Sequence, residues 1–313
     1  MVVERYRRCS SSVGDACSFE DDVLKRRTSP EGVVYYVSPL LERAGVPHAF
    51  STRVGGVSPP PFDSLNLGNA SGAEVRDDPD RVARNFERLL RAIGCEDRAR
   101  CAVNQVHAAD VVRVRVGEDF AAGQCADALV TDHPTKLLSI STADCVPVLL
   151  ATADGRTVAA AHAGWRGVVA GVVPNAVREM RSNGSVVAAA GTAATTTSAS
   201  ACPPRDLIAA IGPCIGFDAF EVGGEVIDAF AACFGHDVEK ISRRTANGKG
   251  RIDLRDAVRL QLVAAGVMPD RIDSTDRCTF AHADEFFSHR RDRGVTGRMA
   301  SIIGPRLATR MED

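Results

Sequence analysis

The stretch KLLSISTADCVPVLLATADGRTVAAAHAGWRG, residues 136–167, decides how the rest of the chain is read. KLLSIST, VPVLLAT and TVAAAHA are short β-branched and apolar runs, separated by TADC at one point and by the Asp154-Gly155 turn signal at the other. They predict neighbouring strands at the core of the fold. Upstream, CAVNQVH, VVRVRV and ADALVT read as further strands of the same kind, so the middle of the chain is strand-rich. Downstream, WRGVVAGVVPNAVREMRS carries helical spacing at Val169, Val172, Val173, Ala176, Val177 and Met180, with Pro174 expected to kink the helix or restart it.

Nearer the amino end, VVYYVSPLL and HAFSTR read as strands and GGVSPPPFDSLNLG as a loop dense in Gly and Pro. DDPDRVARNFERLLRAIG reads as an amphipathic helix, with Val82, Phe86, Leu89, Leu90 and Ile93 on one stripe and Asp77, Asp78 and Asp80 at its positive end. Beyond the core lie a strand over LIAAIGP, helices over GGEVIDAFAACFG and DLRDAVRLQLVAAG, and an Arg-rich end, FFSHRRDRGVTGRMASIIG. Strands and helices mix without regular alternation. That pattern predicts an α+β fold of layered mixed β-sheets with flanking helices rather than a doubly wound one. Residues 1–32 have no hydrophobic period and read as a poorly ordered extension, with a single domain over 33–313. Residues 184–204, almost wholly Ala, Thr, Ser, Val and Gly up to Pro203-Pro204, read as an inserted flexible loop.

The 313 residues carry 38 Lys plus Arg against 40 Asp plus Glu, a formal net charge of -2, with basic and acidic residues interleaved. That is no footprint for nucleic acid or an anionic membrane surface. Ten cysteines are too few for a disulfide scaffold, and none form a Cys-x-x-Cys pair. With no apolar h-region near the amino end and no run of eighteen apolar residues, the expectation is a cytoplasmic protein in a reducing compartment.

Three short stretches each place a ligand-type residue at a strand end: His107 in NQVHAAD, Cys145 in ISTADCVPVLL and His162 in AAAHAGWRG. Two imidazoles and a thiolate suit zinc, and three protein ligands leave a fourth position for water or substrate. Cys145 and His162 alone also fit a nucleophile with its activating base. A buried Cys beside two ordinary histidines fits the spacing as well, so all three readings stand. Asp144 is placed to orient a histidine, to act as a general base, or simply to bond its own turn. Gly164, Arg166 and Gly167 precede a helix, where free N–H groups and a guanidinium make a cradle for phosphate, or else a plain tight turn. Arg53 in STRVGG and Asn66 in SLNLG are candidate substrate contacts, and the Arg290-Arg291 pair is a salt-bridged face or an anion contact.

Taken in order, HAFSTRVGGVS, PFDSLNLG, NQVHAADVV, DALVT, STADCVPVLL, AAAHAGWRGVVAG, AAIGPCIG, FEVGGEV and FFSHRRDRGVTGRMA resemble the YfiH-like family, over about residues 33–304. Its members were first described as laccase-domain or multicopper polyphenol oxidases, and later as purine nucleoside phosphorylases with adenosine deaminase activity. The resemblance implies a fold shared with the cytotoxic necrotizing factor toxins and a zinc site on His107, Cys145 and His162. It implies phosphorolysis of adenosine, inosine, guanosine or methylthioadenosine by a monomer or homodimer, with small-molecule nucleosides and phosphate as its partners. The alternatives it leaves are a Cys-His hydrolase or amidase, including cell-wall-precursor editing, a copper-dependent polyphenol oxidase, and a metal-stabilised partner-binding protein. Copper is the weaker inheritance, because seven histidines are few for several imidazole-rich copper sites. This sequence departs from the family pattern at Phe220, His289 and Pro174, none of them a ligand, and His289 would add a titrating group near the site.

Overall fold

The computed structural model describes residues 24–70, 72–118, 120–121, 123–182, 206–245 and 247–307. In chain order the elements are β1 (Lys25–Thr28), β2 (Val34–Val37), α1 (Pro39–Arg43), β3 (His48–Ser51), α2 (Pro79–Ala92), β4 (Ala99–Cys101), β5 (Val111–Val114) and β6 (Ala128–Thr131). There follow β7 (Lys136–Thr142), β8 (Val146–Thr152), β9 (Val158–Ala163), α3 (Trp165–Ala170), α4 (Val172–Arg181) and β10 (Leu207–Ile211). The last are β11 (Glu221–Val222), α5 (Gly224–Phe234), α6 (Val238–Ile241), β12 (Ser242–Arg244), β13 (Gly250–Ile252), α7 (Leu254–Ala264), β14 (Ile272–Ser274) and β15 (Met299–Ile303).

Two mixed sheets, ordered β1-β2-β3-β15-β7-β4 and β14-β10-β8-β9-β6-β5, stack face to face, and β11-β13-β12 form a small third sheet. Side-chain alternation shows how the layers are glued. From β8, Leu149 and Ala151 meet Leu138 and Ile140 of β7 and Phe50 of β3 between the sheets. Val146, Val148 and Leu150 point the other way, onto Val172, Val173, Ala176 and Val177 of α4 and Val258 of α7. On the far side of the first sheet, Ala300 and Ile302 of β15 pack with Phe86 and Leu89 of α2. Four layers result, helix, sheet, sheet and helices, and β8 is buried along its whole length because both its faces are covered.

Local chemistry sets the boundaries. Asp78 caps α2 by accepting from the Asp80 N–H, with Pro79 at the first helical position where no N–H is needed. The same device corrects an expectation: VVYYVSPLL is not one strand, since Ser38 caps α1 through the Leu41 N–H and Pro39 starts it. CAVNQVH also differs from expectation, for β4 ends at Cys101 and the rest is a loop. Pro174 neither kinks nor restarts the helix. The break between α3 and α4 is at Gly171, in the left-handed region at φ 84°, and Pro174 falls in the first turn of α4, where its missing N–H costs nothing.

The fold also begins earlier than Val33. Lys25–Thr28 pairs antiparallel with Val34–Val37, Leu24 is buried, and Arg26 meets Glu285 at 2.6 Å. The short apolar content of that strand hid it, because an edge strand with exposed side chains has no hydrophobic period. Residues 1–23 and the 184–204 insertion lie outside the described residues. Among the described residues, no helix is long and apolar enough to cross a membrane.

Candidate metal centre

Sheet register brings the site together. In the β8–β9 pair Pro147 lies opposite His162, which sets Cys145, two residues earlier in the turn after β7, beside the end of β9. In the β6–β9 pair Ala128 lies opposite Ala161, so Asp127, just before β6, meets His162, whose N–H donates to the Asp127 carbonyl at 2.7 Å. His107 arrives on the loop between β4 and β5. Gln105 anchors that loop by bonding both the Ser141 N–H and the Ser141 carbonyl, each at 2.7 Å, as a strand partner would. Asn104 adds a parallel bridge to Cys125.

The Asp127 carboxylate then fixes the geometry. It accepts the N–H groups of Val106, His107 and Ala108 at 3.1, 3.0 and 2.7 Å, which holds His107 at a positive φ of 59°. Its Oδ1 also lies 2.8 Å from His162 Nδ1, so Nδ1 donates and Nε2 is the ring nitrogen left for a ligand. One atom from each of His107, Cys145 and His162 falls within 4.8 Å of the others, the two rings edge to face with centroids 4.8 Å apart. This is the one such group among the described residues. His162 is buried, Cys145 half-buried and His107 exposed, so the cluster is open on the His107 side.

The electrostatics are those of a charged pair. Burial by itself lifts the Cys145 thiol, but the His162 charge and hydrogen bonds from His107 and His162 override it and hold the thiol well below its ordinary value. Burial by itself lowers His162, but the Cys145 charge and the Asp127 hydrogen bond raise it above the usual imidazole range. Burial likewise pushes Asp127 up, and the hydrogen bonds from His162 and the Ala108 N–H leave it below the carboxylate norm. Two imidazole nitrogens and a thiolate backed by a carboxylate are a zinc-type donor set. With the three donor atoms within 4.8 Å of one another, the group could hold a metal ion.

The other sequence candidates sort by what they touch. Gly164 belongs to the site for lack of a side chain: a Cβ there would sit 2.5 Å from His107 Nδ1 and 3.1 Å from Cys145 Sγ. Gly167 is buried where the Ala108 carbonyl crosses α3. Arg166 is exposed and stacks on Trp165, 4.4 Å from the ring centroid. Asp144 orients no histidine. Its carboxylate accepts the Thr279 hydroxyl at 2.6 Å and the Arg290 N–H at 2.7 Å, fastening two loops beside Cys145. Asn66 is wholly buried between Asp77 and the Arg298 N–H, so it is a strut and not a substrate contact. Arg53 spends its guanidinium on Asp63 and the Ala283 carbonyl and lies over Phe287, so its charge is already paired. Arg290 holds the Ala219 and Glu221 carbonyls, and Arg291 holds Asp292 and three carbonyls. His289 is exposed and outside the ligand group. Sequence reasoning missed Asp127, whose only signal was a carboxylate at the head of the apolar strand ALVT.

A family model described as multi-copper polyphenol oxidoreductase laccase matches residues 47–198 and 184–306. The chain is 40% identical over 260 residues to Purine nucleoside phosphorylase YfiH of Escherichia coli K12, covering 83% of this chain and 93% of the relative. It is 40% identical over 271 residues to Purine nucleoside phosphorylase of Deinococcus radiodurans, covering 85% and 92%. The crystal structure of YlmD from Geobacillus stearothermophilus superposes with a TM-score of 0.76 at 33% identity, over 91% of this chain and all of that one.

Proposed function

The chain belongs to the YfiH-like laccase-domain family, and from that membership we propose that it is a zinc-dependent purine nucleoside phosphorylase. Its substrates on this reading are adenosine, inosine, guanosine and methylthioadenosine, each converted with inorganic phosphate to free base and sugar 1-phosphate, with adenosine deamination as a side activity. The observation that carries the reading is the His107–Cys145–His162 cluster held by Asp127, in a chain whose relatives bear the phosphorylase name. His107, Cys145 and His162 would hold the metal, which supplies Lewis acidity and a polarised oxygen ligand. The chain's own part is positional. Asp127 keeps His162 in the tautomer that presents Nε2, the Gln105 anchor sets His107 on the open side, and Gly164 lets ring and sulfur close together. The Cys145 thiol, held low beside His162, is a ready thiolate donor at neutral pH. A multicopper oxidation is disfavoured by the donor count, one three-residue group among the described residues and seven histidines in all.

A second reading has its own observation. Cys145, His162 and Asp127 line up as thiolate, imidazolium and carboxylate, the arrangement of a Cys-His hydrolase or amidase, a reading that the fold kinship with the necrotizing factor toxins implied by the family resemblance also suggests. His107→Ala separates the two. A zinc phosphorylase should lose its metal, close to one per chain in the wild type, and with it adenine release from adenosine plus phosphate. A Cys-His hydrolase should keep substantial activity and ignore chelators. Adenine release that proceeds equally in phosphate-free buffer overturns the phosphorolytic reading.

A further inference from the structure

Among the described arginines, Arg53, Arg290 and Arg291 spend their guanidinium groups on protein oxygens and Arg166 stacks on Trp165 at the surface, whereas Arg298 is half-buried with one edge unused. Arg298 immediately precedes β15, and the β15–β7 register, Met299 opposite Thr142, continues to set it opposite Ala143, next to Asp144 and Cys145. Its backbone is pinned on both sides, the N–H donating to Asn66 Oδ1 at 2.8 Å and the carbonyl accepting from the Leu67 N–H at 2.9 Å. Only Nη1 is used within the protein, on the Thr296 and Gly297 carbonyls at 3.3 and 3.0 Å. Nε and Nη2 donate to nothing among the described residues, and no carboxylate there forms an ion pair with the side chain. That free edge is the one with which a guanidinium grips an oxyanion through two parallel N–H bonds.

A half-buried cation without a paired anion is costly, and burial pulls its pKa below the ordinary arginine value, the Cys145 and Asp144 charges acting in the other direction. Asp144 makes no hydrogen bond or ion pair with Arg298; its carboxylate bonds Thr279 and Arg290 instead. The cost is offset when a mobile anion arrives between the guanidinium and the cluster.

We propose that the Nε–Nη2 edge of Arg298 binds inorganic phosphate beside the His107–Cys145–His162 cluster. This rests on the phosphorolytic reading: a phosphate oxygen forms the new bond to the sugar C1′, the glycosidic C–N bond breaks, and its electron pair leaves with the base, which takes a proton from solution. Asn66, read from the sequence as a substrate contact, acts instead as a positioning residue for this arginine.

The test uses the zinc-loaded full chain, with Arg298→Gln and Arg298→Lys compared by steady-state kinetics, metal content, melting temperature and calorimetric titration with inorganic phosphate. For Arg298→Gln the KM for phosphate should rise roughly tenfold to a hundredfold, with a matching loss of phosphate affinity in the titration. The KM for adenosine, the zinc content and the melting temperature should stay near wild type. Lys, a point charge without the fork, should recover part of the affinity. Unchanged phosphate KM and affinity in a folded Arg298→Gln overturn the assignment while leaving phosphorolysis intact, and so does a parallel rise in both KM values. If the wild type binds phosphate through Arg298 yet releases no sugar 1-phosphate, the anion site stands and the phosphorolytic reading falls.

Discussion

Asp127 governs both histidines of the cluster, one through its side chain and one through the backbone of its loop. Asp127→Asn keeps an acceptor for His162 but replaces the other oxygen by a donor that faces the Val106 and Ala108 N–H groups. We expect metal affinity to fall roughly tenfold to a hundredfold with little change in overall fold, read by competition with a chromogenic chelator. Wild-type affinity in the variant would show that His107 is placed by something else. The three residues of the cluster were legible as candidates because His and Cys are uncommon and chemically specific side chains, and the motifs of the family resemblance singled them out. Asp127 and Arg298 were not, since an Asp or an Arg next to a strand is ordinary and only register shows what it faces. For Asp144 the sequence left an orienting, a basic and a structural role open, because adjacency to Cys145 in the chain does not say where a carboxylate points, and here it bonds Thr279 and Arg290.

His48 shows how one side chain ties elements together. Fully buried on β3, it donates from Nδ1 to the Val46 carbonyl at 2.8 Å and accepts the Ser38 N–H at Nε2, 2.7 Å away, just where α1 begins. Burial drives its pKa down to about 4 from 6.5, so the folded protein keeps it neutral where the unfolded chain takes up a proton. Stability tied to His48 is therefore present above pH 6.5 and is lost as pH falls toward 4, by roughly 3 kcal/mol when complete. Urea unfolding of His48→Gln across that window should show a shallower pH dependence than wild type; equal slopes would remove His48 as the cause. Helices with a clear stripe, such as α2, and unbroken apolar strands, such as β8, were readable from sequence. The short α1 was not, because its five residues continue an apolar run and only the Ser-Pro cap marks the change.

Across the molecule, the strand at the amino end stitches the two sheets. Leu24 donates its N–H to the Ser274 carbonyl of β14 while Lys25–Thr28 extends the other sheet, and Arg26 and Tyr36 share Glu285. Relative to a chain starting at residue 24, one starting at Val33 should lose roughly 2 kcal/mol of stability to urea from the buried Leu24 alone. Matching midpoints for the two truncations would mean β1 contributes nothing. The layered α+β class was readable from the mixture of elements, but strand order was not, because no local pattern tells β15 that its neighbours are β3 and β7. That order has a consequence for synthesis. Among the described residues β15 is the last strand in chain order and sits in the middle of its sheet, so on the ribosome β3 and β7 wait with bare edges until Met299–Ile303 emerges. Closure of that sheet thus waits on β15, and a nascent chain stalled just short of Met299 would present two sticky strand edges to chaperones, proteases and its own copies.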